Sequence, residues 1–367
     1  MLEKNIDLNG KTILVTGAAG FIGANLCRKI LEEFENVLIV GIDNLNDYYD
    51  VSLKEYRLEQ IRQMQKSASV SGEFIFFKGN LADKEFVETI FGEHEPEIVV
   101  NLAAQAGVRY SIANPDAYIE ANVLGFYNVL EACRYSYGEG RRGVEHLIYA
   151  SSSSVYGSNK KIPYSTDDKV DHPVSLYAAT KKSNELFAHA YSKLYGIPST
   201  GLRFFTVYGP AGRPDMAYFG FTEKLVKNEK IKIFNYGNCK RDFTYINDIV
   251  KGIVEVIQRC PFANEDGVRY KVYNIGNNRP ENLLDFVEIL KDELKKAEIL
   301  PEDYDLREHM ELVGMQPGDV EVTYADVDEL EKDFGFKPST SLREGLGAFV
   351  QWYREYGYDG ASQVKGN

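Results

Sequence analysis

A glycine-rich turn near the start of the chain constrains the fold more than any other stretch. It follows a short apolar segment, residues 11–16, and precedes a helical pattern and a second apolar segment that ends in Asp43. Gly17 permits a tight turn, Gly20 lets the backbone approach a pyrophosphate, and Gly23 lets the helix pack closely on the strand. The order strand, glycine turn, helix, strand, acid predicts a βαβ unit that binds a dinucleotide.

Asp43 indicates which dinucleotide this unit binds. It lies 20 residues after Gly23, at the position of the acid that holds the adenosine ribose. A carboxylate there repels a 2′-phosphate, so the pattern predicts NAD rather than NADP. The alternative is a glycine turn with a purely structural role.

Strand and helix patterns alternate along the first two hundred residues. Further strand patterns lie at 37–42, 73–78, 97–101, 145–150 and 199–205. This alternation predicts an α/β fold with a doubly wound parallel sheet of the Rossmann type. Beyond residue 205 glycine and proline become frequent, which predicts a smaller C-terminal α/β lobe closing over the sheet.

We therefore predict two structural units from the chain of 367 residues. Residues 1–204 form the Rossmann domain, to which a segment near 241–261 returns. Residues 205–240 and 262–357 form the substrate lobe, and residues 358–367 form a polar tail.

Composition argues against several classes of function. The formal charge of −13 argues against nucleic acid as a partner, because a polyanion requires a basic surface. Four widely spaced cysteines and five scattered histidines predict neither a disulfide framework nor a metal site. The start of the chain is polar, and no apolar run approaches the ~20 residues that span a bilayer. We therefore expect a cytoplasmic protein without a membrane partner.

Tyr177 and Lys181 are candidates for acid–base chemistry, because in a helix they lie one turn apart on the same face. A free tyrosine has a pKa of about 10, and a neighbouring ammonium group lowers it. The pair can then remove a proton from a substrate hydroxyl. With 25 tyrosines in the chain, this spacing also arises by chance on an ordinary amphipathic helix. Four serines, 151–154, at the carboxyl end of a strand pattern favour the catalytic interpretation.

Together, the glycine turn, the serines and Tyr177 with Lys181 resemble the extended short-chain dehydrogenase/reductase superfamily. Within it, several stretches are similar to the uronic-acid branch of the nucleotide-sugar 4-epimerases. These stretches are residues 101–111, 151–157, 203–216, 241–246 and 316–320. The resemblance implies an isomerase that inverts C4 of a UDP-uronic acid, UDP-glucuronate to UDP-galacturonate. It further implies a 4-keto intermediate, NAD as cofactor and a role in polysaccharide biosynthesis.

The resemblance also implies roles for individual residues. Ser152 would hydrogen-bond the sugar O4, Tyr177 would be the base and Lys181 its electrostatic partner. The cofactor-binding residues would be Gly17, Gly20, Phe21, Ile22, Gly23, Asp43, Asn44, Asn80, Leu81, Leu102, Ala103, Ala104, Gln105, Asn122, Tyr177, Lys181 and Phe204. The substrate-binding residues would be Arg109, Ser152, Ser153, Ser154, Thr206, Arg213, Arg241 and Asp319.

Two positions depart from the pattern of the family. Asn80 stands where the superfamily usually has an acid, and Gln316 stands where hexose 4-epimerases carry an arginine. The second departure shifts anion binding to Arg213 and Arg241, whose planar forks suit a diphosphate. The carboxylate of Asp319 suits the paired hydroxyls of the uridine ribose.

The resemblance leaves other functions open. A 4-epimerase of a neutral UDP-hexose or UDP-N-acetylhexosamine is one alternative, and a non-catalytic NAD-sensing regulator is another. A UDP-glucuronate decarboxylase would carry a glutamate where this chain has Ser153 and Ser154, which cannot do the acid–base work of a carboxylate.

The helical patterns at 116–134 and 175–194 carry more apolar residues than contact with one sheet requires. The resemblance implies that these two helices pair with their copies in the four-helix bundle of a homodimer.

Overall fold

A seven-stranded parallel sheet forms the centre of the molecule. The computed structural model describes residues 1–138, 143–315 and 321–357. In spatial order the strands are β10 (Tyr270–Ile275), β6 (Ser199–Phe204), β5 (His146–Ser152), β4 (Ile98–Asn101), β1 (Thr12–Thr16), β2 (Leu38–Asp43) and β3 (Glu73–Lys78). The predicted doubly wound parallel sheet is therefore confirmed, and its strand order reverses between β1 and β4.

Both faces of this sheet are covered by helices. On β1, Ile13 and Val15 belong to one buried cluster and Leu14 belongs to the other, as expected when side chains alternate across a strand. The covering helices are α1 (Phe21–Glu33), α2 (Val51–Gln65), α3 (Lys84–His94), α4 (Tyr110–Ala113), α5 (Pro115–Tyr118), a π-helical segment (Ile119–Leu124), α6 (Gly125–Tyr135), α7 (Leu176–Tyr195) and α9 (Ile246–Ile257). None of the described helices is long and apolar enough to cross a bilayer.

A smaller group of elements packs beside the carboxyl ends of the central strands. Tyr208, Phe286 and Phe349 are completely buried in its own apolar core. Its elements are strands β7 (Thr206–Tyr208), β8 (Ile231–Ile233), β9 (Lys240–Tyr245), β11 (Pro280–Asn282) and β12 (Met310–Leu312), with helices α8 (Ala217–Val226), α10 (Leu283–Lys296) and α12 (Leu342–Gly357).

The strand β10 corrects the predicted domain boundary. Residues 262–357 were assigned to the substrate lobe, yet β10 pairs in parallel with β6 and completes the central sheet. Helix α11 (Asp328–Phe334) packs against β10, and so it also lies beside the large sheet. A strand pattern records which residues are extended, but it does not record which sheet the strand joins. The predicted tail, 358–367, lies outside the described residues.

Three predicted elements differ in form. The helix expected at 116–134 contains the π-helical segment Ile119–Leu124. The helix expected from residue 249 begins at Ile246, directly after strand β9. The charges of α2 do not form a simple solvated face, because Lys54 and Arg57 are buried. Arg57 donates to backbone oxygens in a distant segment, and Lys54 donates to Asn46 in the loop before the helix. The helical pattern alone reveals neither set of partners.

Candidate active site

The glycine turn connects β1 to α1 in the conformation that the sequence predicts. Gly17 has a φ of +71°, and a Cβ there would lie 2.8 Å from the Ala103 nitrogen. At Gly23 a Cβ would lie 2.1 Å from the Gly17 oxygen, so only glycine allows this contact between helix and strand. Helix α1 begins after Gly20, and no side chain caps its first turn. Its free N–H groups therefore face the cavity, where they suit a phosphate.

Asp43 ends β2 at the edge of the same cavity. Its Oδ1 accepts the N–H of Leu45 at 2.9 Å and lies 3.9 Å from Nζ of Lys54. The Lys54 ammonium also donates to the backbone and side-chain oxygens of Asn46. Burial lowers the pKa of Lys54, although the charge of Asp43 opposes this shift. The acid predicted to bind the ribose is therefore a carboxylate beside a buried cation, and no sequence motif indicated that cation.

One continuous cavity extends from the glycine turn to helix α7. Every predicted cofactor-binding residue except Asn122 lines it. Ser152 and Arg213 are the predicted substrate-binding residues among its walls. Further lining residues that the sequence did not suggest are Ile42, Asn46, Tyr48, Tyr49, Lys54, Gly79, Ala106, Ala121, Ala150, Ser151, Phe205, Val207 and Met216.

Tyr177 lies in the first turn of α7, which begins at Leu176 because Ser175 caps it by accepting the N–H of Ala178. Burial raises the pKa of the Tyr177 phenol, whereas a hydrogen bond with Ser152 and the charge of Arg213 lower it. The positive end of the helix also favours a phenolate. The site therefore holds a phenol whose ionisation depends on its polar neighbours.

Lys181 lies one turn further along α7 and is almost completely buried. Its Nζ donates to the backbone oxygen of Ala150 at 2.9 Å. Burial lowers the pKa of Lys181 to about 8. The sequence predicted that Lys181 lowers the pKa of Tyr177, but in the structure Arg213 is the cation that lowers it. A helical spacing of four does not fix where a long lysine side chain ends.

A buried ion pair holds α7 against the sheet. Glu185 accepts two hydrogen bonds from Arg203, at 2.8 and 2.9 Å, and one from the hydroxyl of Ser151 at 2.7 Å. Burial alone would raise the pKa of Glu185, but the hydrogen bonds and charge of Arg203 lower it below its ordinary value. The pair fixes the position of α7 relative to β5 and β6, and with it the position of Tyr177.

Asn122 lies in the π-helical segment and contacts Gln105, a residue of the cavity wall, without lining the cavity itself. Its Oδ1 accepts the N–H of Gln105 at 2.8 Å, and its Nδ2 donates to the Gln105 oxygen at 3.0 Å and to the Thr180 hydroxyl at 3.1 Å. The side chain therefore ties the loop after β4 to α7. The family resemblance implied that Asn122 contacts the cofactor or orders the site. In the structure Asn122 connects the two segments and does not line the cavity.

Arg213 forms an ion pair at the substrate end of the cavity. Its Nε and Nη2 donate to the two oxygens of Asp215 at 2.9 and 2.5 Å. Asp215 also accepts the Tyr48 hydroxyl at 3.2 Å. Burial alone would raise the pKa of Asp215, but Arg213 lowers it. The arginine expected to bind phosphate is thus already fixed by an internal carboxylate.

Of the other predicted substrate residues, those that the structure describes do not line the cavity. The Arg109 guanidinium lies 5.1 Å from the centre of the Phe234 ring, and Arg241 donates to the backbone oxygens of Lys240 and Glu321. Ser153 and Ser154 follow Ser152 in a short 3₁₀ turn, and Thr206 stands between two lining residues. Asp319 and Gln316 lie outside the described residues.

The cavity fits a dinucleotide. The glycine turn, residues 17–23, encloses a space that a Cβ on its glycines would fill, and we call this space the glycine cradle. The first turn of α1 presents its uncapped N–H groups to it. Asp43 lies at the expected distance along the chain. These features match the pyrophosphate and the ribose of NAD. The same cavity continues past Ser152 to Tyr177, where a reacting hydroxyl would meet the phenol.

Comparison with known proteins agrees with this geometry. Residues 13–276 match the model of the NAD dependent epimerase/dehydratase family. Protein CapI of Staphylococcus aureus is 48% identical, with 94% of this chain and 98% of that protein covered. UDP-glucuronate 4-epimerase 2 of Arabidopsis thaliana is 43% identical, with 97% and 79% covered.

A solved structure gives the same picture. The UDP-glucuronic acid 4-epimerase of Bacillus cereus, in complex with UDP-glucuronic acid and NAD, has a TM-score of 0.79 and 29% identity, with 94% of this chain and 99% of that chain covered. This likeness shows that the two chains share the fold described above. The chain belongs to the NAD dependent epimerase/dehydratase family, as the sequence predicted.

Proposed function

We propose that this chain is an NAD-dependent UDP-glucuronate 4-epimerase, which interconverts UDP-glucuronate and UDP-galacturonate. The observation that carries the proposal is the cavity in which the glycine cradle, Tyr177, Ser152 and Arg213 meet. The relatives described above include UDP-glucuronate 4-epimerases that match nearly the whole chain. The predicted enzyme class and cofactor agree with these findings.

Tyr177 performs the proton transfer in this proposal. The phenolate removes the proton from the sugar O4 and later returns it, while the Ser152 hydroxyl hydrogen-bonds O4. NAD⁺, held by the glycine turn and Asp43, would supply reversible hydride transfer at C4 of the sugar. Lys181, with its ammonium on the Ala150 oxygen, adds positive charge to the end of the cavity where negative charge develops.

Arg213 holds the substrate through its diphosphate. A guanidinium binds phosphate oxygens through two parallel N–H groups, and Arg213 lines the cavity near Tyr177. Held at this point, the 4-keto sugar can turn about its phosphate linkage and present its other face. Arg241 and Asp319 stay predictions as further contacts to the UDP group.

The serine turn is suited to the sugar carboxylate. A 4-keto uronate is a β-keto acid that loses carbon dioxide unless its carboxylate is held in a fixed, polar position. Ser153 and Ser154 directly follow Ser152 in the 3₁₀ turn, and Thr206 stands between the lining residues Phe205 and Val207. They can therefore bind a carboxylate beside Ser152, and Arg109 stays a prediction as the cation that assists them.

The test is to incubate the purified protein with UDP-glucuronate, without added cofactor, and to follow the sugars by proton NMR. UDP-galacturonate should accumulate to equilibrium without release of carbon dioxide, because each turnover regenerates NAD⁺. A matched sample with added NAD⁺ controls for cofactor lost during purification.

Three other outcomes would contradict the proposal in different ways. Formation of a UDP-pentose would show a decarboxylase and would overturn the role of Ser153 and Ser154. Turnover of UDP-glucose or UDP-N-acetylglucosamine in place of UDP-glucuronate would show a neutral-sugar 4-epimerase. Absence of turnover in a protein that binds NAD would favour the regulator.

A homodimer is part of the proposal. Helices α6 and α7 pack against each other, and they and the preceding π-helical segment expose large apolar side chains. These include Leu124, Tyr127, Leu186 and Leu194, each at least 40% exposed. We expect a copy of the chain to cover them in a four-helix bundle. Light scattering at micromolar concentration should give twice the mass of the chain; a monomer would contradict the bundle.

The division into a cofactor domain and a substrate lobe, with β10 moved to the former, also stays a proposal. Limited proteolysis with and without UDP tests it, since the ligand should protect the lobe. A cytoplasmic location stays a prediction that fractionation of cells producing the protein would test.

A further inference from the structure

A buried arginine on α2 contacts two separate parts of the site. Arg57 is only 2% exposed. Its Nη1 donates to the Ala19 oxygen at 3.1 Å and to the Tyr49 hydroxyl at 2.6 Å. Its Nε and Nη2 donate to the backbone oxygens of Ala211 and Gly212 at 2.9 and 3.0 Å. One rigid, planar guanidinium therefore joins three segments of the chain.

The acceptors of Arg57 belong to the two ligand-binding elements of the cavity. Ala19 lies in the middle of the glycine turn, between Gly17 and Gly23, where the dinucleotide phosphates bind. Ala211 and Gly212 directly precede Arg213, which is assigned to the UDP diphosphate. Because the fork of Arg57 is fixed, a shift of either backbone segment strains the hydrogen bonds to the other.

The backbone at Ala211 depends on this contact. Ala211 has a φ of +53°, a left-handed conformation that a residue with a Cβ rarely adopts. Its carbonyl oxygen is the acceptor for Nε of Arg57. Strained backbone persists where the surrounding structure holds it. Without the guanidinium, the turn at 211–212 can relax, and Arg213 then loses its position.

Helix α2 as a whole links the two units. Leu53 packs in the core of the lobe, whereas Leu58 and Ile61 pack in the core of the central sheet. Tyr48, just before α2, donates to Asp215 and gives a second contact to the Arg213 loop. Helix α2, which carries Arg57, therefore contributes side chains to both apolar cores.

We propose that Arg57 is a positioning residue that couples dinucleotide binding to binding of the UDP group. A ligand on the glycine turn fixes Ala19, and through Arg57 it holds the 211–212 turn in the strained form that presents Arg213. By linkage, each ligand then raises the affinity of the other by the same factor. The coupling presupposes the proposed function, because the two ligands are its cofactor and the nucleotide part of its substrate.

The experiment measures release of NADH with and without UDP. Protein loaded with NADH is mixed with excess NAD⁺, and the loss of bound NADH fluorescence is followed in both conditions. In the wild-type protein, saturating UDP should slow release at least about fivefold, the lower end of typical coupling between sites. In Arg57→Met the ratio of the two rates should fall close to one. Arg57→Lys, which keeps the charge but not the fork, should lie between them.

Arg259→Met is the matched control. Arg259 is also buried, at 6% exposed, and donates to the backbone oxygens of Leu2 and Glu255. It does not line the cavity, so this variant should keep the wild-type ratio even if its melting temperature falls. A merely structural role of Arg57 would change the melting temperature but not the ratio.

A folded Arg57→Met protein with the wild-type ratio would overturn the coupling, as would a wild-type protein in which UDP does not change NADH release. If Arg57→Met does not fold, Arg57→Lys decides: an unchanged ratio overturns the coupling and a reduced ratio supports it. Failure of the wild-type protein to bind NADH or UDP at all would instead overturn the proposed function.

Discussion

The two ends of the cavity differ in the residues that form their walls. The cofactor end lies at the glycine turn, and the substrate end lies at Arg213. At the cofactor end the wall consists mainly of backbone and small residues, as where Gly17 approaches the backbone of Ala103. At the substrate end the wall depends on long side chains such as Arg213, which Asp215 and Tyr48 hold in place. Binding at the cofactor end therefore depends on close backbone packing, whereas binding at the substrate end depends on the charges of side chains. Substitutions at the two ends should therefore impair different properties: cofactor affinity at one end and the pH dependence of activity at the other.

The largest effect is expected where the two ends meet, at Tyr177. Tyr177→Phe removes the hydroxyl that transfers the proton and keeps the ring, so kcat should fall by about 10²–10⁴. Binding of NADH and UDP should stay unchanged, because neither end of the cavity is altered. The measurement is the initial rate of UDP-galacturonate formation by proton NMR.

Tyr304→Phe is a control for this loss. The Tyr304 hydroxyl contacts the Leu225 oxygen in the lobe and does not line the cavity, so the variant should keep its rate. A Tyr177→Phe protein that retained more than about a tenth of the wild-type kcat would assign the proton transfer to another group.

A smaller effect is expected from Gly23→Ala, which tests shape at the cofactor end. The added Cβ would lie 2.1 Å from the Gly17 oxygen, and relieving such overpacking costs about 1–3 kcal/mol. The turn must open, so NADH affinity should fall about 10- to 100-fold. Fluorescence titration with NADH measures this change.

Gly92→Ala is the control for shape. Gly92 lies in α3, and a Cβ there has no atom within 4 Å, so NADH affinity should not change. Equal NADH affinity of Gly23→Ala and the wild-type protein would show that the contact between helix and strand is not required for binding.

The smallest effect is a shift in pH dependence, distinct from any loss of substrate affinity, and it tests charge at the substrate end. Arg213 lowers the pKa of Tyr177 and Asp215 raises it. The base must be ionised, so activity falls on the acid side as the phenol takes up a proton. Arg213→Met should therefore move the acid limb of kcat/KM to higher pH, and Asp215→Asn should move it to lower pH. The pH profiles of the two variants should diverge; a shift of both in the same direction would contradict this assignment.

The same contrast explains how much the sequence could predict. Gly17, Gly23 and Asp43 act through their places in one short βαβ unit, so their spacing was enough to predict the cofactor end. The parallel sheet followed from the alternation of strand and helix patterns. The sequence did not predict that β10 joins the central sheet rather than the lobe. Its pairing with β6 connects residues that lie far apart in the chain.

The sequence did not indicate Arg57, Lys54 or Asp215 as parts of the site, because the roles of these side chains depend on where the fold places their polar partners. Arg57 reads as one more charge on a surface helix, yet its acceptors are carbonyl groups 154 and 155 residues away. A backbone oxygen has no signature in the sequence, so no motif pairs it with an arginine. Lys54 and Asp215 have ion-pair partners nearer in the chain, Asp43 and Arg213. No motif marks these pairs, because they form only when the loops that carry them are folded.

The pairing of Glu185 with Arg203 has a consequence for how the chain can evolve. Replacing Glu185 alone would leave the buried charge of Arg203 without its carboxylate partner, at a cost of about 3–5 kcal/mol, which is a large part of the stability of most proteins. Replacing Arg203 alone would leave Glu185 with only the partly exposed Lys182 as its cation. A lineage could therefore lose this pair only through a double replacement or through an intermediate stabilised elsewhere. Random mutagenesis with selection for activity should recover changes at the two positions together and almost never singly.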